Sequence, residues 1–246
     1  MSRDLSGKAA LITWGSRGIG AAIVRRFVQD GAAVAFTYAS SDEKAHALAE
    51  DIKTNGGVTL AINADGTDPQ AIKAAVMQTA GRFGRIDILV NNAGILKLGA
   101  VDEYSLSDFD KMIAVNVRPV FVAIQATLPY MIAGGRIITT GSVTADRAGF
   151  PGASVYAMTK GALAALTRGL ARDLGPRGIT VNVVQPGPTE TDMNASEEMR
   201  AIVRPLMALG RLGKAAEIAS LVAYLAGSEA SFITGSALTV DGGYLA

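Results

Sequence analysis

Short runs of β-branched and apolar residues alternate with longer segments of helical periodicity along almost the whole chain. This alternation is typical of βαβ units, in which parallel strands form a sheet that helices cover on both faces. An apolar share of 49% over 246 residues is enough to bury such a sheet. The sequence therefore predicts a doubly wound α/β fold in a single domain, residues 1–246.

The sequence predicts seven strands and six helices. Seven strands are predicted at 9–13, 33–38, 59–63, 86–91, 135–140, 180–184 and 237–240. Helices are predicted at about 18–30, 42–55, 69–82, 108–132, 154–174 and 215–226. Residues 190–209 do not follow the strand–helix alternation. They come after a Pro-Gly-Pro turn, and Met-rich and polar stretches alternate within them. We expect that segment to be a mobile lid over a substrate site.

Composition excludes several classes of function. A formal net charge of +1 is too small to neutralise many phosphates, so we expect no nucleic-acid partner. The absence of cysteine and the single histidine, His46, exclude disulfides, a thiolate nucleophile and an ordinary zinc site, so no metal is expected. The amino-terminal residues lack a secretory signal, and no apolar run reaches the ~18 residues of a membrane span. We expect a cytoplasmic protein without a membrane partner.

A glycine-rich turn, Thr-Trp-Gly-Ser-Arg-Gly-Ile-Gly at 13–20, joins the first predicted strand to the first helix. Glycines there let the backbone approach a pyrophosphate, which unpaired N–H groups and the helix dipole stabilise. A tight turn without a ligand is the alternative. Asn-Asn-Ala-Gly at 91–94 ends the fourth strand, at the carboxyl edge where such sheets bind ligands, although alone it could be only a turn. The candidate cofactor residues in the first turn are Gly15, Ser16, Arg17, Gly18, Ile19 and Gly20.

The end of the second predicted strand bears on the type of dinucleotide. An NAD enzyme is expected to place an acid there for the ribose hydroxyls, yet none occurs before Asp42. We interpret 40–43 as a helix N-terminus in which Ser40 and Glu43 have capping-box spacing. Arg17, if it is not simply a solvated surface residue, is then available for a 2′-phosphate. An arginine in a phosphate loop beside serines such as Ser40 favours NADP(H).

Tyr156 and Lys160 lie one helical turn apart on the same face of a predicted helix. The lysine can lower the phenol's pKa, which makes Tyr156 a candidate general acid in a reduction. An ordinary helical pair is the alternative. Ser142 follows the fifth predicted strand at the carboxyl edge, where its hydroxyl could hold a carbonyl oxygen.

These motifs, in this order, resemble the short-chain dehydrogenase/reductase family over essentially the whole chain, and most of all its 3-oxoacyl-[acyl-carrier-protein] reductase branch. The resemblance implies a Rossmann fold with a seven-stranded parallel sheet. It implies NADPH-dependent reduction of a ketone or 3-oxoacyl carbonyl, and the reverse oxidation. Ser142 would polarise the substrate, Tyr156 would transfer the proton, and Lys160 would lower the tyrosine pKa and bind the nicotinamide ribose. Asn116 would take part in a relay through an ordered water.

Further cofactor residues follow from the resemblance alone. It implies that Asp65 contacts the adenine, that Asn91 lies along the cofactor, and that Thr189 and Thr191 hold the carboxamide and pyrophosphate. The remaining candidates from the matching turns are Ala93, Gly94, Pro186 and Gly187.

The sequence bears on two possible partners, further copies of this chain and acyl carrier protein. The resemblance implies a homotetramer, and the small residues Gly161, Ala162, Ala164 and Ala165 on the Tyr156 helix allow close helix approach. Acyl carrier protein is an uncertain partner, because this acidic protein needs a basic docking patch. Arg168 and Arg177 could supply part of one, but residues 131–135 contain no base where carrier-protein reductases usually place one. We expect free ketones to be reduced at least as efficiently as carrier-bound ones.

Trp14 departs from the family pattern, because it occupies the position of the first glycine of the turn. Its indole could cover the adenosine, fill part of the site or point to solvent, and we expect weakened NADPH binding. The alternative to an enzyme is a nucleotide-binding regulatory protein that keeps this fold and the catalytic residues but has little turnover.

Overall fold

The computed structural model describes residues 5–192 and 196–246. Seven of its strands form one sheet, and two short strands pair separately. In chain order the strands are β1 (Ala9–Ile12), β2 (Ala33–Tyr38), β3 (Thr59–Asn63), β4 (Ile88–Asn91), β5 (Arg136–Thr140), β6 (Thr180–Pro186), β7 (Thr189–Glu190), β8 (Gly213–Lys214) and β9 (Ala237–Val240).

Local sequence signals set the ends of several helices. The side chain of Asp68 accepts a hydrogen bond from the Gln70 N–H (2.8 Å) just before α3, Pro69 occupies the first turn, and Gly84 ends the helix in a left-handed conformation. The helices in chain order are α1 (Gly18–Gln29), α2 (Asp42–Thr54), α3 (Pro69–Phe83), α4 (Leu106–Asn116), α5 (Arg118–Thr127), α6 (Ser154–Leu174), α7 (Glu197–Val203) and α8 (Ala215–Ala226).

The main sheet has the order β3-β2-β1-β4-β5-β6-β9, and all of its strand pairs are parallel. The strand order reverses between β1 and β4, which opens a crevice at their carboxyl ends. Successive residues of a strand face opposite sides, so Ile12 packs in the core under α1, α2 and α8 while Leu11 packs in the core under α3, α5 and α6. The predicted doubly wound fold is confirmed.

The predicted helix at 108–132 is wrong, because the chain forms α4 and α5 with a break at Val117. Pro119 has no N–H to donate to the Val115 carbonyl, which removes one bond of a continuous helix. The Asn116 side chain also bonds to the backbone of Ile95 at this point. The break therefore fixes the end of α4 against the loop that follows β4.

The predicted lid, 190–209, includes Glu190 of β7, the helix α7 and a short 3₁₀ turn at Arg204–Leu206. Residues 193–195 of this segment lie outside the described residues. Sequence periodicity did not predict α7 or the β7–β8 pair, since two-residue strands and seven-residue helices are shorter than the windows that periodicity needs. The mobility of the segment stays a prediction.

The stretch Leu106–Tyr130 is long and apolar enough to cross a membrane by length and mean hydropathy (1.4) alone. It is broken at Val117, and 44% of its apolar window is buried. Core helices pass the same test, so this is weak evidence for a span.

Candidate active site

The glycine-rich turn is held by three neighbouring strands. The Trp14 N–H donates to the Thr37 hydroxyl (3.0 Å), and the Asn92 side-chain amide donates to the Trp14 carbonyl (3.2 Å). The Thr140 hydroxyl donates in turn to the side-chain oxygen Oδ1 of Asn92 (3.2 Å). A Cβ on Gly20 would collide with the Trp14 carbonyl oxygen. The start of α1 is therefore fixed in place at the mouth of the crevice.

Trp14 is the only non-glycine residue with positive φ (52°) in the part of the chain that the structure describes. Its indole Nε1 is buried without a hydrogen-bond partner, 2.5 Å from where a Cβ on Gly66 would lie. Ala93 and Pro119 line the same small cavity. The solvent-facing orientation is therefore excluded, and the indole fills space on the side of the crevice where Asp65 was expected to meet the adenine.

Asp65 is tied into its own turn, where its carboxylate accepts from the Thr67 N–H and hydroxyl, both at 2.8 Å. These hydrogen bonds from Thr67 lower the pKa of Asp65. Its predicted adenine contact stays a prediction.

Two cations lie beside the glycine-rich turn. Arg17 Nη1 and Lys44 Nζ each lie 3.5 Å from Oδ2 of Asp192. The predicted capping box at Ser40 is wrong, because α2 begins at Asp42 with Ser41 as its N-cap and no side-chain cap bond. Ser40 is exposed one residue outside the helix. Sequence analysis did not predict that Lys44 lies at the site, because in the sequence it resembles any exposed lysine of an amphipathic helix.

Asn91 is an unsatisfied polar group at the carboxyl end of β4. Its side chain is 1% exposed, and neither its oxygen nor its nitrogen has a hydrogen-bond partner. Leaving such a group unpaired costs about 1–3 kcal/mol. Next to it, a Cβ on Gly94 would lie 3.2 Å from Lys160 Nζ, so the glycine keeps space open there. An orphaned amide and an open backbone fit a polar ligand such as a dinucleotide.

Thr191 and Gly187 border the crevice from the other side. A Cβ on Gly18 would lie 3.6 Å from the Thr191 methyl, so Thr191 faces the glycine-rich turn. Gly187 follows Pro186, the last residue of β6, and a Cβ there would lie 2.6 Å from Cβ of Asp241. The buried Thr189 hydroxyl donates to the Gly187 carbonyl (2.8 Å). The structure thus places Thr191 against the glycine-rich turn, whereas the Thr189 hydroxyl is bonded within its own turn.

Ser142 and Tyr156 meet beyond the carboxyl end of β5. The buried Ser142 hydroxyl accepts from the Thr144 N–H (3.1 Å) and lies 3.0 Å from the Thr144 hydroxyl. Burial raises the pKa of Tyr156, and a hydrogen bond with Ser142 opposes that rise. The Ser142 hydroxyl thus acts on the phenol's pKa, while its own hydrogen bonds within 3.5 Å are to Thr144.

Lys160 is 3% exposed, and its ammonium donates to the Thr140 carbonyl (3.2 Å). Burial lowers the pKa of Lys160 to about 8. Its Nζ lies 5.7 Å from the centre of the Tyr156 ring. The predicted lowering of the Tyr156 pKa relied on Lys160 together with an oxidised nicotinamide, and it stays a prediction for the loaded site. In the protein alone the pKa of Tyr156 is raised, because burial of the phenol dominates.

Asn116 links the site to the loop after β4. Its Oδ1 accepts from the Ile95 N–H (2.8 Å), and its Nδ2 donates to the Ile95 carbonyl (3.0 Å) and the Thr159 hydroxyl (3.1 Å). The Thr159 hydroxyl donates to the Tyr156 carbonyl (2.7 Å). These bonds use both Nδ2 hydrogens and one of the two acceptor positions of Oδ1, so the predicted water relay would use the remaining acceptor position or the Asn116 backbone.

An apolar cluster, here called the apolar wall, begins with Val143, the residue after Ser142. Sequence analysis missed it. Val143, Val203, Met207 and Tyr244 form a buried cluster. A Cβ on Gly149 would collide with the Tyr244 hydroxyl, so the tail also packs against the loop before α6. The wall joins three segments that are far apart in sequence, and no local pattern reveals such a contact.

The comparisons with known sequences cover nearly the whole chain. The family model described as enoyl-(acyl carrier protein) reductase matches residues 14–245. The cyclic-di-GMP-binding biofilm dispersal mediator protein of Escherichia coli (strain K12) is 48% identical over 240 residues, 97% of this chain and 98% of that protein. A 3-oxoacyl-[acyl-carrier-protein] reductase of Staphylococcus aureus (strain Mu50) is 39% identical over 240 residues, 96% of this chain and 97% of that protein.

Two solved structures share the fold closely. A short-chain dehydrogenase/reductase from Serratia marcescens BCRC 10948 is 56% identical with a TM-score of 0.95, covering 98% of this chain and 99% of that one. A short-chain dehydrogenase from Burkholderia cenocepacia J2315, in complex with NADP, is 50% identical with a TM-score of 0.95 and the same coverage, 98% and 99%. By sequence, fold and motif order, this chain belongs to the short-chain dehydrogenase/reductase family of oxidoreductases.

Proposed function

We propose that this chain is an NADP(H)-dependent carbonyl reductase, which reduces a ketone or 3-oxoacyl carbonyl to a secondary alcohol and catalyses the reverse oxidation. The observation that carries the proposal is the convergence of Ser142, Tyr156 and Lys160 at the crevice. The orphaned Asn91 amide beside them fits a dinucleotide. The Burkholderia relative was solved with NADP, and Arg17 supplies a cation suited to a 2′-phosphate.

In this proposal the bound NADPH supplies the hydride to the carbonyl carbon. Ser142 donates a hydrogen bond to the carbonyl oxygen, and Tyr156 transfers its phenolic proton to that oxygen. Lys160, whose pKa is lowered to about 8 by burial, can exchange a proton near neutral pH and binds the nicotinamide ribose. In the oxidation the phenolate accepts the alcohol's proton. Asn116 is a positioning residue, since it reaches Tyr156 only through Thr159.

The apolar wall bears on the substrate. Val143, Met207 and Tyr244 favour an apolar group next to the carbonyl over a charged one. The Arg177 guanidinium, one of two cations suggested for docking acyl carrier protein, donates to the Leu128 carbonyl (2.8 Å) and the Met131 carbonyl (3.4 Å). These bonds hold it against the backbone, which favours free ketones over carrier-bound ones.

A regulatory nucleotide-binding protein is the second candidate. It is favoured by the 48% identity to the Escherichia coli protein described as cyclic-di-GMP-binding, and by Trp14 in the crevice. Such a protein would bind cyclic di-GMP in titration calorimetry and oxidise no NADPH with any carbonyl.

The first prediction concerns turnover. We expect NADPH oxidation, followed by absorbance at 340 nm, with apolar ketones and free 3-oxoacyl thioesters, and a lower kcat/KM with NADH. Carrier-bound 3-oxoacyl substrates should show no higher kcat/KM than free ones. Binding of NADPH without turnover of any carbonyl would refute the enzyme and favour the regulatory candidate.

The second prediction concerns the proton donor. Tyr156→Phe should lower kcat by at least ~10²-fold while leaving NADPH affinity almost unchanged, because the ring still packs but donates no proton. Tyr130→Phe, the same change at an exposed 3₁₀ turn, is the control and should keep full activity. Near-normal turnover of the Tyr156 variant would contradict the assignment.

The third prediction concerns Trp14. Trp14→Gly should tighten NADPH binding, measured by nicotinamide fluorescence, because it removes the indole and suits the positive φ. Trp14→Phe keeps most of the bulk and should bind like the native protein. If glycine fails to tighten binding while circular dichroism shows an unchanged fold, crowding by the indole is wrong.

The fourth prediction concerns assembly. We propose a homotetramer, supported by two exposed apolar side chains, Phe121 (50%) on α5 and Met158 (42%) on α6, the helix that also carries the small residues. Light scattering at micromolar concentration should give four times the chain mass. A monomer would contradict the proposal, and Phe121→Glu should lower the mass of a tetramer that uses this face.

A further inference from the structure

One carboxylate lies between two cations that come from different elements. Arg17 belongs to the glycine-rich turn, Lys44 to the first turn of α2, and Asp192 to the segment after β7. Both cations lie 3.5 Å from the same oxygen, Oδ2 of Asp192. The three side chains are 55%, 61% and 60% exposed, so solvent ions and ligands can reach them.

The cation pair suits a group with more charge than a carboxylate. A phosphate monoester carries up to two negative charges and three acceptor oxygens, and it can pair with a guanidinium and an ammonium at once. The pair lies where β2 leads into α2, which is the region that meets the adenosine ribose in this fold. Asp192 therefore occupies the position that suits a ribose 2′-phosphate.

We propose that Lys44 is a second specificity residue for the 2′-phosphate of NADP(H), and that Asp192 competes with this phosphate for Arg17 and Lys44. The inference rests on the proposed NADP(H) function and deepens it. A dinucleotide with a 2′-phosphate must displace the carboxylate to reach both cations. A dinucleotide with a free 2′-hydroxyl gains little from displacing it, so Asp192 reduces the preference for NADPH.

The size of the effect follows from the exposure of the groups. Exposed ion pairs are screened by water and salt, so each contributes modestly. Removal of the competing charge should change affinity by about two- to fivefold at low ionic strength. That change is resolved by calorimetry, and it should shrink as salt is added.

The experiment measures binding without turnover. Dissociation constants for NADPH, NADH, 2′-AMP and 5′-AMP are obtained by titration calorimetry, with the fluorescence of Trp14, the chain's single tryptophan, as a second signal. Asp192→Asn should tighten NADPH and 2′-AMP by about two- to fivefold and leave NADH and 5′-AMP unchanged. Lys44→Ala and Arg17→Ala should each weaken NADPH and 2′-AMP, with NADH unchanged.

Two matched controls test whether any loss of an ion pair has the same effect. Lys53→Ala removes a cation at the other end of α2, where Lys53 pairs with Glu50 (2.8 Å). Glu197→Gln removes a carboxylate whose partner Arg204 lies in the same segment (3.4 Å). Neither control should change the affinity for any of the four nucleotides.

The outcomes separate this inference from the proposed function. If the native protein binds NADPH no better than NADH and Arg17→Ala changes neither, the NADP(H) function itself is wrong. If NADPH is preferred and Arg17→Ala removes the preference, but Asp192→Asn and Lys44→Ala match the controls, the function holds and the inference is wrong. Tightening by Asp192→Asn of NADH and 5′-AMP as much as NADPH would also overturn it.

Discussion

The reversal of strand order between β1 and β4 is the constraint on which the site depends. Parallel strands point their carboxyl ends to one edge, and helices that cross to opposite faces separate where the order reverses. The glycine-rich turn after β1, Asn91 of β4 and Ser142 after β5 therefore border one crevice, although Gly15 and Ser142 are 127 positions apart in the chain. No pairwise contact between these residues is needed to bring them together.

The polar groups at this edge are held by hydrogen bonds rather than by packing alone. Hydrogen bonds of the Asn116 side chain connect the loop after β4 to α6. The bond from the Lys160 ammonium to the Thr140 carbonyl connects α6 to the end of β5. Each of these groups is almost fully buried, which is costly unless its bonds are made. The arrangement keeps Tyr156 in place before a ligand arrives, so its orientation does not have to be supplied by binding energy.

On the side of the crevice where the adenosine is expected, around Trp14 and Asp192, the polar groups are less well satisfied by hydrogen bonds. Trp14 holds a left-handed backbone conformation, which costs a non-glycine residue about 1–2 kcal/mol, and its indole N–H is unpaired. Asp192 meets the two cations on the same side of the crevice. The chain's own groups thus take up space and charge where a dinucleotide would bind, while the proposed catalytic groups on the other side of the crevice stay assembled.

The sequence by itself determined the alternation of elements, the seven-stranded doubly wound sheet and most boundaries. The strands β2, β3 and β9 were predicted to the residue, and the approximate ranges predicted for α6 and α8 coincide with the observed helices. These features follow from local periodicity and turn residues, which need no information about distant contacts. It also identified Ser142, Tyr156 and Lys160, because their motifs are short and ordered along the chain. The tertiary structure decided the break at Val117, the direction of the Tyr156 pKa, the inward orientation of Trp14, and the meetings of Tyr244 with Val143 and of Asp192 with Lys44. Each of these features depends on burial or on contact between segments far apart in sequence. Local sequence patterns predict neither of these properties.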